Sequence, residues 1–283
     1  MLQPSAAVEP PGSDADQAFF DSNFGVHSGR RTWRDRRLGR ATDFLFDARL
    51  RLQSRQLKAA RLALPVRRVL VTSVEVPGRE ADLQGVVDRL RRTRHDVSLA
   101  MAPMGERGKF HNINLALAKS DLAAVDWLIV TDDDVDLPDD FLDTLLAVGE
   151  HAKLKLSMPA HRFRSHSTFL ITQRVWGSLV RQTNFVEIGP LTVIRREGFE
   201  ALVPFPPSRW AYGIDLLWAE ICRRRGWRMG VVDAVPITHL KPVGGSYSAD
   251  EAIKEGRDLL ERFDVRMTRA ELLAPGRELI ARS

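Results

Sequence analysis

At 283 residues, with 44% hydrophobic and 28% charged residues, the chain has the composition of an ordinary soluble globular protein, large enough for one sizeable domain or two small ones. No apolar run approaches the ~20 residues of a membrane-spanning helix, and the N-terminus lacks the basic-then-apolar pattern of a secretion signal. The lone Cys222 excludes an internal disulfide and a cysteine zinc cluster, and it fits a reducing cytoplasm. The net charge of +5 is local: 13 Lys/Arg face 3 Asp/Glu between Arg30 and Arg68, and the remainder is net acidic.

Residues 1–30, rich in Pro, Ala, Ser, Gly and Asp, show little periodicity and read as a flexible tail. Residues 31–65 read as a basic amphipathic helix, running from about 32 to 64 and ended by Pro65. Leu38, Ala41, Leu45, Ala48 and Leu52 recur at alternating spacings of three and four, a one-sided stripe with arginines over much of the opposite face. Such a segment suits contact with an anionic membrane surface through residues 30–68, or packing on the rest of the chain or on a partner.

From residue 66 to 248 strands alternate with helices. Strands are expected at 69–74, 97–102 and 127–131, and helices at 80–92, 110–119 and 139–151. This pattern implies a mostly parallel sheet covered on both faces. The second half is less regular, with strands expected at 156–160, 186–194 and 229–235, a helix at 210–225, and a C-terminal helical segment over 249–283. Neither a dinucleotide fingerprint nor a P-loop follows the first strand, and no nucleophile elbow is present, which disfavours a dehydrogenase, a P-loop kinase and an α/β-hydrolase. Cys222 and Trp176, Trp218 and Trp227 read as core.

The most informative run is Val130-Thr131-Asp132-Asp133-Asp134-Val135. Apolar residues drive a buried strand to its end, where three carboxylates appear together. Adjacent like charges repel and gain nothing from burial, so the cluster makes most sense beside a cation. Oxygen ligands of this kind suit Mg²⁺ or Mn²⁺, with positions left for substrate phosphates. The plain alternative is a solvated acidic turn that caps the next helix.

Four further segments join the triplet in chain order. They are Gly108-Lys109-Phe110-His111-Asn112-Ile113-Asn114-Leu115-Ala116-Leu117, Asn184-Phe185-Val186-Glu187-Ile188-Gly189-Pro190, Trp210-Ala211-Tyr212-Gly213-Ile214-Asp215, and Val232-Asp233-Ala234-Val235-Pro236-Ile237-Thr238-His239. Together they resemble the GT-A fold of nucleotide-sugar glycosyltransferases, and most closely the family 2-like bacterial enzymes. The resemblance implies a mixed, mostly parallel α/β sheet flanked by helices, here with a basic N-terminal helix. It implies a cytoplasmic enzyme of polysaccharide biosynthesis, taking a nucleotide-diphosphate sugar as donor and a glycan or lipid-linked acceptor, with no nucleic acid.

By the same resemblance Asp132 and Asp134 form the D-x-D motif for Mn²⁺ or Mg²⁺, and His239 completes the metal site. Ser73 and Glu75 meet the nucleotide base and ribose. Lys109, Asn114, Asp132, Asp133, Trp210 and Tyr212 are further donor contacts. Asp215 is the expected catalytic base, for which one carboxylate suffices if the product is inverted. Glu187, on an otherwise apolar strand, is the rival base or a group that binds sugar or acceptor hydroxyls. The sequence departs from the family at Ala102-Pro103-Met104-Gly105, where an aspartate often follows the second strand, and this leaves the nucleotide open. A nucleotidyltransferase of similar fold and a non-catalytic glycan- or partner-binding relative are the alternatives.

Overall fold

A computed structural model describes residues 33–167, 169–241, 249–274 and 276–279, so the tail expected over 1–30 lies outside the described residues. The single helix expected over 32–64 is two: α1 (Trp33–Arg51) and α2 (Ser54–Ala63). Between them the hydrogen bonds shorten to three-residue steps, Leu52 N–H to Arg49 O and Gln53 N–H to Leu50 O. The break lets Gln53 and Leu57 turn inward, where both are buried.

Strands and helices then alternate as expected: β1 (Arg68–Glu75), α3 (Glu80–Leu90), β2 (Asp96–Pro103), α4 (Lys109–Leu117), β3 (Trp127–Thr131), a two-residue β4 (Val135–Asp136), α5 (Phe141–His151) and β5 (Leu154–His161). The second half holds β6 (Arg181–Thr183), β7 (Leu191–Arg195), α6 (Phe199–Leu202), α7 (Ile214–Arg224), β8 (Arg228–His239), α8 (Ala249–Arg262), α9 (Arg269–Leu272) and β9 (Arg277–Glu278). Two expectations need correcting. Residues 184–190 are a loop and not the start of a strand, because Pro190 has no N–H to give to a ladder and β7 begins only after it. The helix expected from 210 starts at Ile214, since Gly213 takes a left-handed φ of 84° that ends the preceding turn.

The sheet runs in the order β2-β1-β3-β7-β5-β8-β6-β9. β1, β2, β3, β5 and β8 point the same way, and β7 is inserted antiparallel between β3 and β5. This is the mostly parallel, helix-flanked α/β architecture that the sequence pattern implied. The side chains of β3 alternate between two apolar layers. Leu128 and Val130 pack with Phe110, Ile113 and Trp218, while Trp127 and Ile129 pack with Phe141, Leu142 and Leu145. A strand sealed on both faces reads as a continuous apolar run, which is why it was legible. Cys222 and Trp218 belong to the core as expected, and burial pushes the Cys222 thiol up to about 12. Trp176 does not: it is half-exposed and meets the Phe46 ring of α1 edge-on.

The orientation of α1 also reverses the sequence picture. Its leucine stripe faces away from the protein, and the docked face is formed by Gly39, Asp43, Phe46 and Asp47. Asp43 accepts hydrogen bonds from the Phe163 and Arg164 N–H groups and pairs with the buried Arg174. Asp47 pairs with Arg162 and Arg174 at 2.7 and 2.8 Å. Burial alone would raise the Asp47 pKa, but the hydrogen bonds and charges of the two arginines outweigh it and hold the carboxyl low. Among the described residues no helix is long and apolar enough to cross a membrane.

Candidate active site

With their directions aligned, β1, β3, β5 and β8 end at one edge of the sheet, the place where open α/β sheets bind ligands. The triplet leaves β3 at this edge, and the chain re-pairs at once: β4 lies antiparallel to the end of β8, Val135 opposite His239 and Asp136 opposite Thr238. That short pairing brings the imidazole to the carboxylates. One ligand atom each of Asp132, Asp134 and His239 can be chosen so that all lie within 4.8 Å of one another.

The triplet is no solvated turn. Asp133 and Asp134 are each 8% exposed. Asp134 is driven upward by burial but ends below its ordinary pKa, because hydrogen bonding and attraction from His239, with Arg79 and Lys241 nearby, outweigh desolvation. His239 is raised, the Asp134 carboxylate winning over burial. Asp133 turns to a residue the sequence reasoning missed: Arg79, whose guanidinium lies 2.7 Å from Asp133 and 3.8 Å from Asp134. Burial leads the rise in the Asp133 pKa against that pairing. Asp132 pairs with the Lys109 ammonium, and its N–H donates to Pro190 O at 2.8 Å.

The donor set suits a divalent cation. Two carboxylates and an imidazole converge, His239 Nδ1 is buried without a hydrogen bond, and so is Asp133 Oδ2. Cations at hand, Arg79 and Lys109, already balance part of the negative charge. Asp132, Asp134 and His239 are the residues that would hold Mn²⁺ or Mg²⁺.

β7 brings the second carboxylate centre. Its pairing with β3 sets Leu191 opposite Thr131, so the loop 184–190 arrives beside the triplet, with Gly189 against the Asp132 carboxylate. Glu187 on that loop is 7% exposed, and its Oε2 lies 3.4 Å from Nε2 of the fully buried His161 at the end of β5. His161 Nδ1 meets Ser165 Oγ at 2.9 Å, and Ser165 Oγ accepts the His239 N–H at 2.8 Å. A chain of polar contacts thus links Glu187 to the backbone of His239. Sequence reasoning did not place His161 in the site. Its only signal was its place at the end of a strand.

Asp215 sits at the start of α7, partly reached by solvent, with its Oδ1 accepting the Leu216 N–H at 3.0 Å. Desolvation first, and then the Glu187 charge, raise it from the ordinary 3.8 to about 7. Backbone N–H groups, Ile188 among them, offset only part of this. The two carboxylates singled out in the sequence are therefore electrostatically coupled.

Other expected contacts have different surroundings. Ser73 is buried and donates to Thr131 O at 2.7 Å, tying β1 to β3, while Glu75 is exposed at the strand end. Asn114 is committed to the backbone of Phe205 through both ends of its amide. Trp210 and Tyr212 are half-buried in the segment before α7. Glu255 of α8, which carried no sequence signal, fixes this segment by accepting the Arg209 and Trp210 N–H groups at 2.8 and 2.9 Å. The same segment abuts Gly108, where any Cβ would stand 2.2 Å from Arg209 O. Only glycine permits that approach, which brings the Lys109 helix and the Asp215 helix together.

No family model and no curated protein matches the chain. Its structure is similar to several solved ones. One is the catalytic domain of Drosophila beta1,4-galactosyltransferase 7 with xylobiose, at 14% identity over 68% of this chain and 84% of that one, with a TM-score of 0.41. Another is S. aureus TarS 1-349 with UDP-GlcNAc, at 13% identity over 74% and 71%, TM-score 0.44. A third is GalNAc-T7 with UDP, GalNAc and Mn²⁺, at 11% identity over 64% and 44%, TM-score 0.42. The likenesses are distant. The mixed sheet flanked by helices, with its acidic triplet at the end of β3, is the architecture that the sequence pattern implied.

Proposed function

We propose that the chain is a metal-dependent glycosyltransferase that moves a sugar from a nucleotide-diphosphate donor to an acceptor hydroxyl with inversion. The carrying observation is the meeting, at one sheet edge, of the Asp132, Asp134 and His239 set with the coupled pair Glu187 and Asp215. A donor diphosphate would bind against the first set and place its sugar toward the second. When bound there, Mn²⁺ or Mg²⁺ supplies Lewis-acid stabilisation of the negative charge that grows on the leaving diphosphate.

The protein's own groups complete the chemistry. Asp215, with a pKa near neutrality, is matched to taking the acceptor hydroxyl proton as that oxygen attacks the anomeric carbon. Glu187, held beside His161, adds to the desolvation that raises the Asp215 pKa. Lys109 lies against Asp132 and can turn to the departing diphosphate. The acceptor in this reading is a glycan or lipid-linked hydroxyl, and the enzyme works in the cytoplasm in polysaccharide biosynthesis.

The test is a thermal-shift screen of UDP-, GDP- and dTDP-sugars with and without Mn²⁺, followed by metal-dependent hydrolysis of any hit in the absence of acceptor. A donor at 100 times its Kd stabilises the native state by about 2.7 kcal/mol. If no nucleotide sugar shifts the transition in the presence of metal, the reading fails.

A further inference from the structure

We propose that the outward face of α1 is a docking surface for an anionic lipid bilayer. A surface helix normally turns its apolar stripe to the core and its charges to water. Here the arrangement is inverted. The inward face carries the acids, Asp43 and Asp47, neutralised by Arg162 and Arg174. The outward face carries Leu38, Leu45 and Leu52, 67%, 58% and 76% exposed, with Phe44 beside them at 66%.

Charge complementarity selects the occupant. Because the inward ion pairs consume both acids, the exposed charges described around the stripe are Arg37, Arg40 and Arg51 on α1 and Arg55 and Lys58 on α2, all positive. A second copy laid face to face on this stripe would bring like charges together. An anionic headgroup layer takes both features at once, leucines entering the acyl boundary and arginines meeting the phosphates. At 19 residues, α1 is about 28 Å long, enough to lie flat on such a surface with several turns in contact. The proposal rests on α1 and α2 alone and does not depend on the transferase chemistry.

The experiment is flotation of the full chain with vesicles of phosphatidylcholine alone or mixed with phosphatidylserine, at low and high salt. Binding is expected only to the anionic vesicles and is expected to weaken with salt. The variant Leu45→Glu with Leu52→Glu should lower binding about tenfold or more for each leucine, with an unchanged melting transition because both sites are exposed. Arg40→Glu with Arg51→Glu should abolish the preference for anionic lipid. Three outcomes overturn the proposal. Neutral and anionic vesicles behave alike; the leucine variant dissociates a dimer that light scattering detects in the wild type; or the leucine variant melts several degrees lower with flotation unchanged, which would mean that the chain's own residues cover the stripe.

Discussion

Nε2 of His239 lies 3.3 Å from Oδ1 of Asp134, and each side chain is about a tenth exposed or less. The carboxylate favours the protonated imidazole against burial, and in the proposed site a cation would take both groups as ligands. Metal binding there would therefore displace a proton. Mn²⁺ affinity should rise with pH through the raised His239 pKa, with proton uptake by buffer visible as a buffer-dependent calorimetric enthalpy. For the metal-free protein the sign is opposite. Stability from the raised His239 is complete below the unfolded histidine value and is lost as pH rises through the folded one.

Asp134→Ala should abolish Mn²⁺-dependent donor binding while the fold survives, since it removes one of three neighbouring carboxylates. His239→Ala should weaken the metal less. Unchanged donor affinity and metal dependence in the Asp134 variant would mean that the site lies elsewhere. Urea unfolding confirms the fold in each case.

Arg79 competes for the same carboxylates, at 2.7 Å from Asp133 and 3.8 Å from Asp134. Removing a positive charge this close should tighten binding of Mn²⁺ alone in Arg79→Ala. Calorimetry without nucleotide measures this, and a weaker cation affinity would show that Arg79 shapes the site rather than opposing the ion.

Asp215→Asn should leave donor binding nearly intact and cut single-turnover transfer by about 10² to 10⁴, the usual share of general-base catalysis. Wild-type transfer should rise as pH passes about 7. Glu187→Gln should move that rise to lower pH, because the Glu187 charge contributes to the elevation. A raised carboxyl pKa also means that the native state loses stability between the ordinary 3.8 and about 7, so Asp215→Asn should be the more stable protein at pH 8 and not at pH 4. Wild-type transfer by Asp215→Asn would reduce the residue to a helix cap and promote Glu187.

Asp43→Ala leaves the buried Arg174 with Asp47 as its remaining carboxylate and strips the Phe163 and Arg164 N–H groups of their acceptor, and should destabilise the fold by about 1 to 3 kcal/mol. Adding Arg174→Met should recover much of that loss, since an apolar pair needs no counter-charge. Denaturant midpoints for the two variants decide it. Strict additivity would deny the coupling.

The sequence was legible where local pattern and tertiary environment coincide. β3 is buried on both faces, so its apolar run and the acids that end it point to a strand and its edge without reference to anything distant. The positions of His239, at the end of β8, and of Asp215, in the first turn of α7, follow the same local logic. Arg79 and His161 were illegible because each matters only through a partner on another strand or loop, Asp133 for one and Glu187 for the other. The stripe on α1 declared an amphipathic helix, but periodicity cannot say which face docks. That choice was made by Arg162 and Arg174, more than a hundred residues away.

Asp43 holds the N–H groups of Phe163 and Arg164, and the next residue, Ser165, holds the N–H of His239. The helix that faces the surroundings and the His239 imidazole are thus separated by one short segment of backbone. Were a bound surface to tighten that segment and with it the proposed cation site, linkage would require a loaded site to hold the helix more firmly by the same factor. A chain shortened to begin at Val66 would lose the Asp43 contacts that hold this segment.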